Sequence, residues 1–200
     1  WEVWDDFEPL IIRPFANRPV WIGYDPAKGT TNGDSAGCVV IAPPLVPGGK
    51  FRILQRYQWR GLDFRAQAEA IRQLTLQFNV TYIGIDSTGV GHGVYENVKA
   101  FYPGVREFVY NPNVKNALVL KAYDIIASRR LEFDAGMTDV AQSFMAIRKS
   151  TTASGNRPTY EASRSEEASH ADLAWATMHA LFNEPREGAT ANNSTIVEIY

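Results

Sequence analysis

Three strand-like runs lie close together in the first third of the chain, at residues 20–25, 36–42 and 51–59, and they constrain its fold more than any other feature. The loops between them are short and rich in Gly or Pro, so the runs pair as neighbours in an antiparallel meander. In the third run Phe51, Ile53, Tyr57 and Trp59 alternate with Arg52, Leu54, Arg56 and Gln58, the period-two pattern of a strand. The first run is unusual in its ending. WIGYD leaves the apolar pattern on Asp25, and a small-residue loop carrying a second acid, Asp34, follows before GCVVIA resumes it.

After the meander the rhythm changes. Asp63 is placed to cap a helix in which Phe64, Ala68, Ile71, Leu74 and Phe78 recur at helical spacing until Asn79. VTYIGID, residues 80–86, is apolar enough for a central strand. A Gly-rich turn, a short helix near 93–101, an extended VREFVY at 105–110 and a helix near 114–129 come next. This alternation predicts an α/β fold: parallel strands added to the meander in one mixed sheet, with helices on its faces. Residues 145–164 predict a long hairpin around ASGNRP, and 169–183 a last helix with Ala171, Ala174, Trp175, Met178, Leu181 and Phe182 in register.

The fold proper is expected to span residues 20–184. Residues 1–19, with Pro9, Pro14 and Pro19, read as an extended lead-in or the end of an interdomain linker, and 185–200 as a tail whose STIVEIY suits an added strand or a docking peptide. A chain of 200 residues, 45% hydrophobic, supplies one core. No run approaches the roughly 20 apolar residues of a membrane span, and WEVWDDFEP is acidic where a secretory signal is basic, so a soluble intracellular protein without a membrane partner is expected. One cysteine, Cys38, excludes a disulfide framework, and three histidines do not make a Cys/His zinc set. Residues 113–164 carry a net charge of +3 and the remainder -5, so a polyanion could lie along one strip beside an acidic site.

Three carboxylates stand where a core element meets a loop: Asp25 and Asp86 at strand ends, and Asp172 in the first turn of the last helix. Each also fits a structural role. Asp25 before Pro26 and Asp86 before Ser87 suit Asx-type turns, and Ser169 with Asp172 has capping-box spacing. Their combination is what points to chemistry. If the three converge to about 5 Å, their mutual repulsion is on the order of 10 kcal/mol at an effective dielectric of about 20. A domain's whole stability is roughly 5 to 15 kcal/mol, so such a cluster requires a divalent cation or raised pKa values. Oxygen-only ligands favour Mg2+ or Mn2+ over zinc. Two such ions about 4 Å apart suit hydrolysis of a phosphodiester.

The motifs WIGYDPAKGTTNGDSAGCVVIAPP, TYIGIDSTGVGHGV, KAYDIIASRRLEFD and EASRSEEASHADLAWATMHAL together resemble the C-terminal nuclease domain of the large terminase, the DNA-packaging motor of tailed bacteriophages. The resemblance covers roughly residues 20–185. It implies an RNase H-like, retroviral-integrase-like fold and a metal-dependent endonuclease that cuts double-stranded DNA during genome packaging. By motif position it makes Asp25, Asp86 and Asp172 the catalytic metal ligands for two Mg2+ or Mn2+ ions, with Asp34 as an auxiliary acid. It also implies an ATPase domain in the full-length protein, a small terminase subunit and a portal or procapsid as partners, and action in the host-cell cytoplasm. No G-x-x-x-x-G-K-[ST] phosphate loop occurs in these residues, since Gly49-Lys50 leads into Phe51, so ATP-driven translocation is not expected of them.

Further candidates surround the acids. Lys121 flanks a helical stripe and either snorkels or reaches a phosphate. Arg148, Lys149, Arg157 and Arg164 of the expected hairpin suit a clamp on a duplex backbone, which gives affinity without sequence readout. His170, two residues before Asp172, is either a surface residue or one that orients water. The stretch from Asp25 to Asn32 is also similar to the phosphate loop of actin-like ATPases and sugar kinases, and Gly89, Gly91 and Gly93 make a tight turn before a helix start. Two alternatives stay open: a junction resolvase or transposase-type nuclease on the same fold, and a non-catalytic module that docks on procapsid or portal.

Overall fold

A computed structural model of the chain describes residues 6–29, 35–151, 158–162 and 171–185. Its centre is a mixed sheet of six strands. The meander forms as its loops require: β1 (Pro19–Asp25), β2 (Ala36–Ala42) and β3 (Phe51–Trp59) are antiparallel neighbours. Helix α1 (Phe64–Gln77) then crosses over to β4 (Asn79–Asp86), which lies parallel to β1. Helix α2 (Gly91–Phe101) leads to the three-residue β5 (Arg106–Phe108), parallel to β4 at the sheet edge. Helix α3 (Pro112–Ala127) returns across the other face to β6 (Leu131–Glu132), parallel to β3 at the opposite edge. The spatial order is β5-β4-β1-β2-β3-β6. Helix α4 (Thr138–Met145), the hairpin β7 (Ile147–Thr151) with β8 (Pro158–Ala162), and helix α5 (Asp172–Leu181) complete the elements of the described residues. This is the mixed α/β, RNase H-like arrangement expected, with the hairpin as a separate two-stranded sheet.

Period-two alternation divides the core in two. Val20, Ile22 and Tyr24 of β1, Cys38 and Val40 of β2, and Ile83 and Ile85 of β4 face the helices α1 and α2. Val39 and Ile41 of β2 and Phe51 and Ile53 of β3 face the other way, against α3, α4 and α5. The lead-in is not detached from this core: Phe15 is buried in the first cluster, with the Arg18 guanidinium 4.4 Å above its ring.

Helix ends follow local chemistry where a cap exists. Asp63 accepts from the Ala66 amide at 2.8 Å at the start of α1, and Asn111 accepts from Val114 at 2.9 Å at the start of α3. The latter, with Pro112 at the first helical position, starts α3 two residues earlier than apolar spacing alone indicates. The extended stretch expected at 105–110 pairs over only three residues, and α4 and β6 were not anticipated. Both are shorter than the windows in which a period is read from sequence, about 11 residues for a helix and about four for a strand. No helix among the described residues is long and apolar enough to cross a membrane.

Candidate active site

Asp25 and Asp86 are the last residues of β1 and β4, adjacent parallel strands. Tyr24 is in register with Ile85, so the two acids follow side by side, with strands about 5 Å apart. Alternation turns both toward the face covered by α5, since Tyr24 and Ile85 face the opposite core. On the other side of β1, Asp25 is the register partner of Gly37 in β2. Gly37 is where Asp172 sits: a Cβ added at Gly37 would lie 2.6 Å from the Asp172 carbonyl and 2.9 Å from its Cβ. The backbones carrying the three acids are therefore neighbours across β4, β1 and β2.

Glycine makes this approach possible. Cβ atoms at Gly23 and Gly84 would meet the backbone oxygens of Ala176 at 1.8 Å and His179 at 3.0 Å. Gly23, Gly37 and Gly84 thus form a trough across three strands, and α5 lies in it almost backbone to backbone. The small residues Ala174, Ala176 and Ala180, all buried, match it from the helix side.

Helix α5 begins on Ala171, which has no side-chain oxygen to cap it. A residue distant in sequence substitutes: the buried hydroxyl of Ser143, in α4, accepts from the Ala174 amide at 2.7 Å. This fixes the first turn, where Asp172 gains from the positive end of the helix dipole. The Asp172 carboxylate accepts from the Ser35 hydroxyl at 2.6 Å. Asp86 accepts from the Thr88 amide at 2.8 Å, so its turn-forming role coexists with its place at the site. Burial raises the Asp86 pKa above the usual range, against the Thr88 hydrogen bonds and the charge of Lys115, which lower it.

Among the described residues, no group of three His, Cys, Asp or Glu side chains stands ready-made to hold a metal ion. Asp172 is turned to Ser35 and Asp86 to Thr88. The donor set nevertheless fits a hard divalent cation: carboxylate oxygens only, carried on rigid strand ends and a helix start, with one acid already costly to ionise. Asp34, Arg157, Arg164 and His170 lie outside the described residues.

The cations are distributed differently from a reading of the sequence. Lys121 forms a 2.6 Å ion pair with Glu184, which Arg130 also binds, so its ammonium is directed to the end of α5. Lys115, six residues earlier and so on another side of α3, carries a charge that acts on Asp86. Its ammonium lies 5.2 Å from the centre of the Tyr110 ring and 5.5 Å from that of Trp175. In the hairpin Arg148 and Lys149 are both exposed, and the Arg148 guanidinium bonds the Met145 carbonyl. Two further polar residues near the acids escaped notice in the sequence. His179 is fully buried in α5, and Tyr110 follows β5 with its amide donating to Thr88 at 2.7 Å. His179 had one legible signal, its position seven residues after Asp172, two turns along the same helix face.

Residues 22–184 match the family described as Terminase RNaseH-like domain. The chain is 60% identical over 201 aligned positions to the "Terminase, ATPase subunit" of Escherichia phage P2, covering 100% of this chain and 34% of that protein. It is 45% identical to the "Probable terminase, ATPase subunit" of Haemophilus phage HP1, covering 89% of this chain and 29% of that one. The chain thus spans about a third of the length of these curated relatives. Among solved structures, the large terminase nuclease from thermophilic phage G20c with bound magnesium superposes with a TM-score of 0.68 at 20% identity, covering 89% of this chain and 84% of that one. The nuclease domain of the large terminase subunit gp2 of bacterial virus Sf6 does so with a TM-score of 0.60 at 14% identity, covering 83% and 89%. At such identities the structural likeness speaks for the fold, and the matched residues and the phage relatives speak for the family: the chain belongs to the Terminase RNaseH-like domain family.

Proposed function

We propose that this domain is the DNA-cutting part of a phage large terminase, a metal-dependent endonuclease that cleaves double-stranded DNA when genome packaging starts or ends. The observation that supports it is the pairing register, which lines up Asp25, Asp86 and the Gly37 seat of Asp172 across three adjacent strands. The three carboxylates would hold two Mg2+ or Mn2+ ions, with Asp34 as an auxiliary ligand. Such ions supply activation of water and neutralisation of the charge that develops on a phosphodiester. Solved relatives with bound magnesium and with bound cobalt are consistent with a divalent requirement.

The chain's own residues do the rest. Burial of Asp86 makes its charged form costly without a cation, so the site favours taking one up. The Lys115 ammonium, which lies over Tyr110 and whose charge acts on Asp86, would attract a backbone phosphate toward the acids. Exposed Arg148 and Lys149, with Arg157 and Arg164, would hold the duplex backbone without reading sequence. Lys121, occupied by Glu184, would serve DNA only after leaving that pair, and His170 would orient water near Asp172. The full-length protein would add the ATPase domain, and its packaging partners would be the small terminase subunit and the portal or procapsid, in the host-cell cytoplasm.

The test is plasmid cleavage with Mn2+. Asp25→Asn and Asp172→Asn are expected to fold normally, judged by circular dichroism, and to lose cleavage by at least a hundredfold. Normal cutting by both variants refutes the assignment.

A further inference from the structure

His179 and Tyr110 form a buried pair beside the strand ends. The His179 Nδ1 lies 3.0 Å from the Tyr24 carbonyl oxygen, one residue before Asp25, and its Nε2 lies 2.8 Å from the Tyr110 hydroxyl. A carbonyl only accepts, so Nδ1 carries a proton. Burial pushes the His179 pKa down to about 3, against the opposing effect of the Tyr24 carbonyl, so the ring is neutral and Nε2 has a free lone pair. Tyr110 must therefore donate its single hydroxyl proton to His179.

That proton has competitors. Burial, and after it the charges of Asp25 and Asp86, hold the Tyr110 hydroxyl's pKa well above the usual value, so the hydroxyl keeps its proton and lies within the field of both acids. A phenol donating to a carboxylate makes a charge-assisted bond, roughly twice as strong as one to a neutral acceptor. Without His179 as its acceptor, that hydroxyl would compete with a cation for carboxylate lone pairs. The stack of His179 on Phe108, with ring centres 4.8 Å apart, and its anchor on Tyr24 hold the imidazole in the position that captures the donor.

We propose that His179 is a positioning residue of the cation site: by accepting the Tyr110 hydroxyl's hydrogen bond, it keeps that one donor from competing with a divalent ion for the Asp25 and Asp86 carboxylates. The pair is not a proton relay, because a ring so reluctant to ionise takes up no proton at neutral pH. This role rests on the reading of Asp25, Asp86 and Asp172 as cation ligands.

Calorimetric titration of the 200-residue chain with Mn2+ alone tests it. His179→Phe keeps the ring stack but removes the acceptor, and is expected to weaken Mn2+ binding about tenfold, the scale of one hydrogen bond to a charged group. Tyr110→Phe is expected to bind within twofold of wild type, and His179→Phe/Tyr110→Phe to recover to that level, a rescue that lost packing would not produce. His179→Gln, whose Oε1 can still accept from Tyr110, is expected to bind as wild type and serves if the Phe variant does not fold. A double variant as weak as His179→Phe, or a tenfold loss in Tyr110→Phe alone, overturns the role. Mn2+ binding that is lost in Asp25→Asn but indifferent to His179→Phe overturns the positioning role only. Absence of any divalent site in wild type overturns the ligand assignment as well.

Discussion

Gly37 and Asp172 touch backbone to backbone, 135 positions apart in sequence, so that a Cβ at Gly37 would lie 2.6 Å from the Asp172 carbonyl. Gly37 is also the register partner of Asp25. One missing side chain therefore sets the distance between two of the candidate ligands.

Gly37→Ala is expected to push the start of α5 off the sheet. Overpacking against backbone costs about 1 to 3 kcal/mol. The larger effect is expected on function, with Mn2+ affinity falling while the fold survives, because Asp172 moves and Asp25 does not. Chemical denaturation and calorimetry on the same variant separate the two, and unchanged Mn2+ affinity would show that Gly37 does not set the ligand distance.

Asp86 gives an inverted pH signature. Its folded pKa is raised by burial, so the folded state holds the proton more tightly than the unfolded chain. Its contribution to stability is complete below the ordinary aspartate value of about 4 and is lost as pH rises through the folded value. In chelator at pH 7, Asp86→Asn is expected to melt no lower than wild type, and the Thr88 amide keeps an acceptor. Adding Mn2+ at about 100 times its Kd is expected to stabilise wild type by roughly 2.7 kcal/mol and the variant hardly at all. Scanning calorimetry with and without Mn2+ checks both halves.

Lys115 is expected to matter to cleavage more than Lys121. Its charge lowers the Asp86 pKa, so Lys115→Met is expected to raise that value and move the acid limb of the pH–activity profile to higher pH. DNA binding should weaken with a smaller salt slope. Lys121→Met is expected to leave the profile in place and to show its effect in stability. Cleavage rates across pH for the two variants decide between them.

Glu184 carries the opposite sign from Asp86. Burial raises its pKa, but hydrogen bonds from Arg130 and Lys121 and their charges outweigh it and hold the value below the usual range. Its contribution is therefore present above the unfolded value and lost as pH falls through the folded one. Glu184→Gln leaves two half-buried cations without their counter-charge, and about 1 to 2 kcal/mol of stability is expected to go at pH 7. The difference from wild type should shrink in acid, as urea denaturation at two pH values would show.

The sequence alone determined the four long strands of the sheet, β1 to β4. The three meander strands and the central strand were legible because alternation and short loops leave the backbone one way to pair, and the observed strands agree with those runs to within a residue. Asp25 and Asp86 were legible for the same reason, as acids that end apolar strands, and Asp172 as one that opens an apolar helix.

What the tertiary structure decided is which side chains share the space above those strand ends. Whether Lys115 or Lys121 acts on Asp86 depends on how α3 is rotated against α5 and on the pull of Glu184, which no local pattern encodes. The cap that Ser143 gives α5, and the line from Tyr24 through His179 to Tyr110, join residues from separate elements. Periodicity acts within one element and fixes its faces. Contacts between elements are set by packing, and here by the trough of Gly23, Gly37 and Gly84, whose meaning appears only once a helix lies in it.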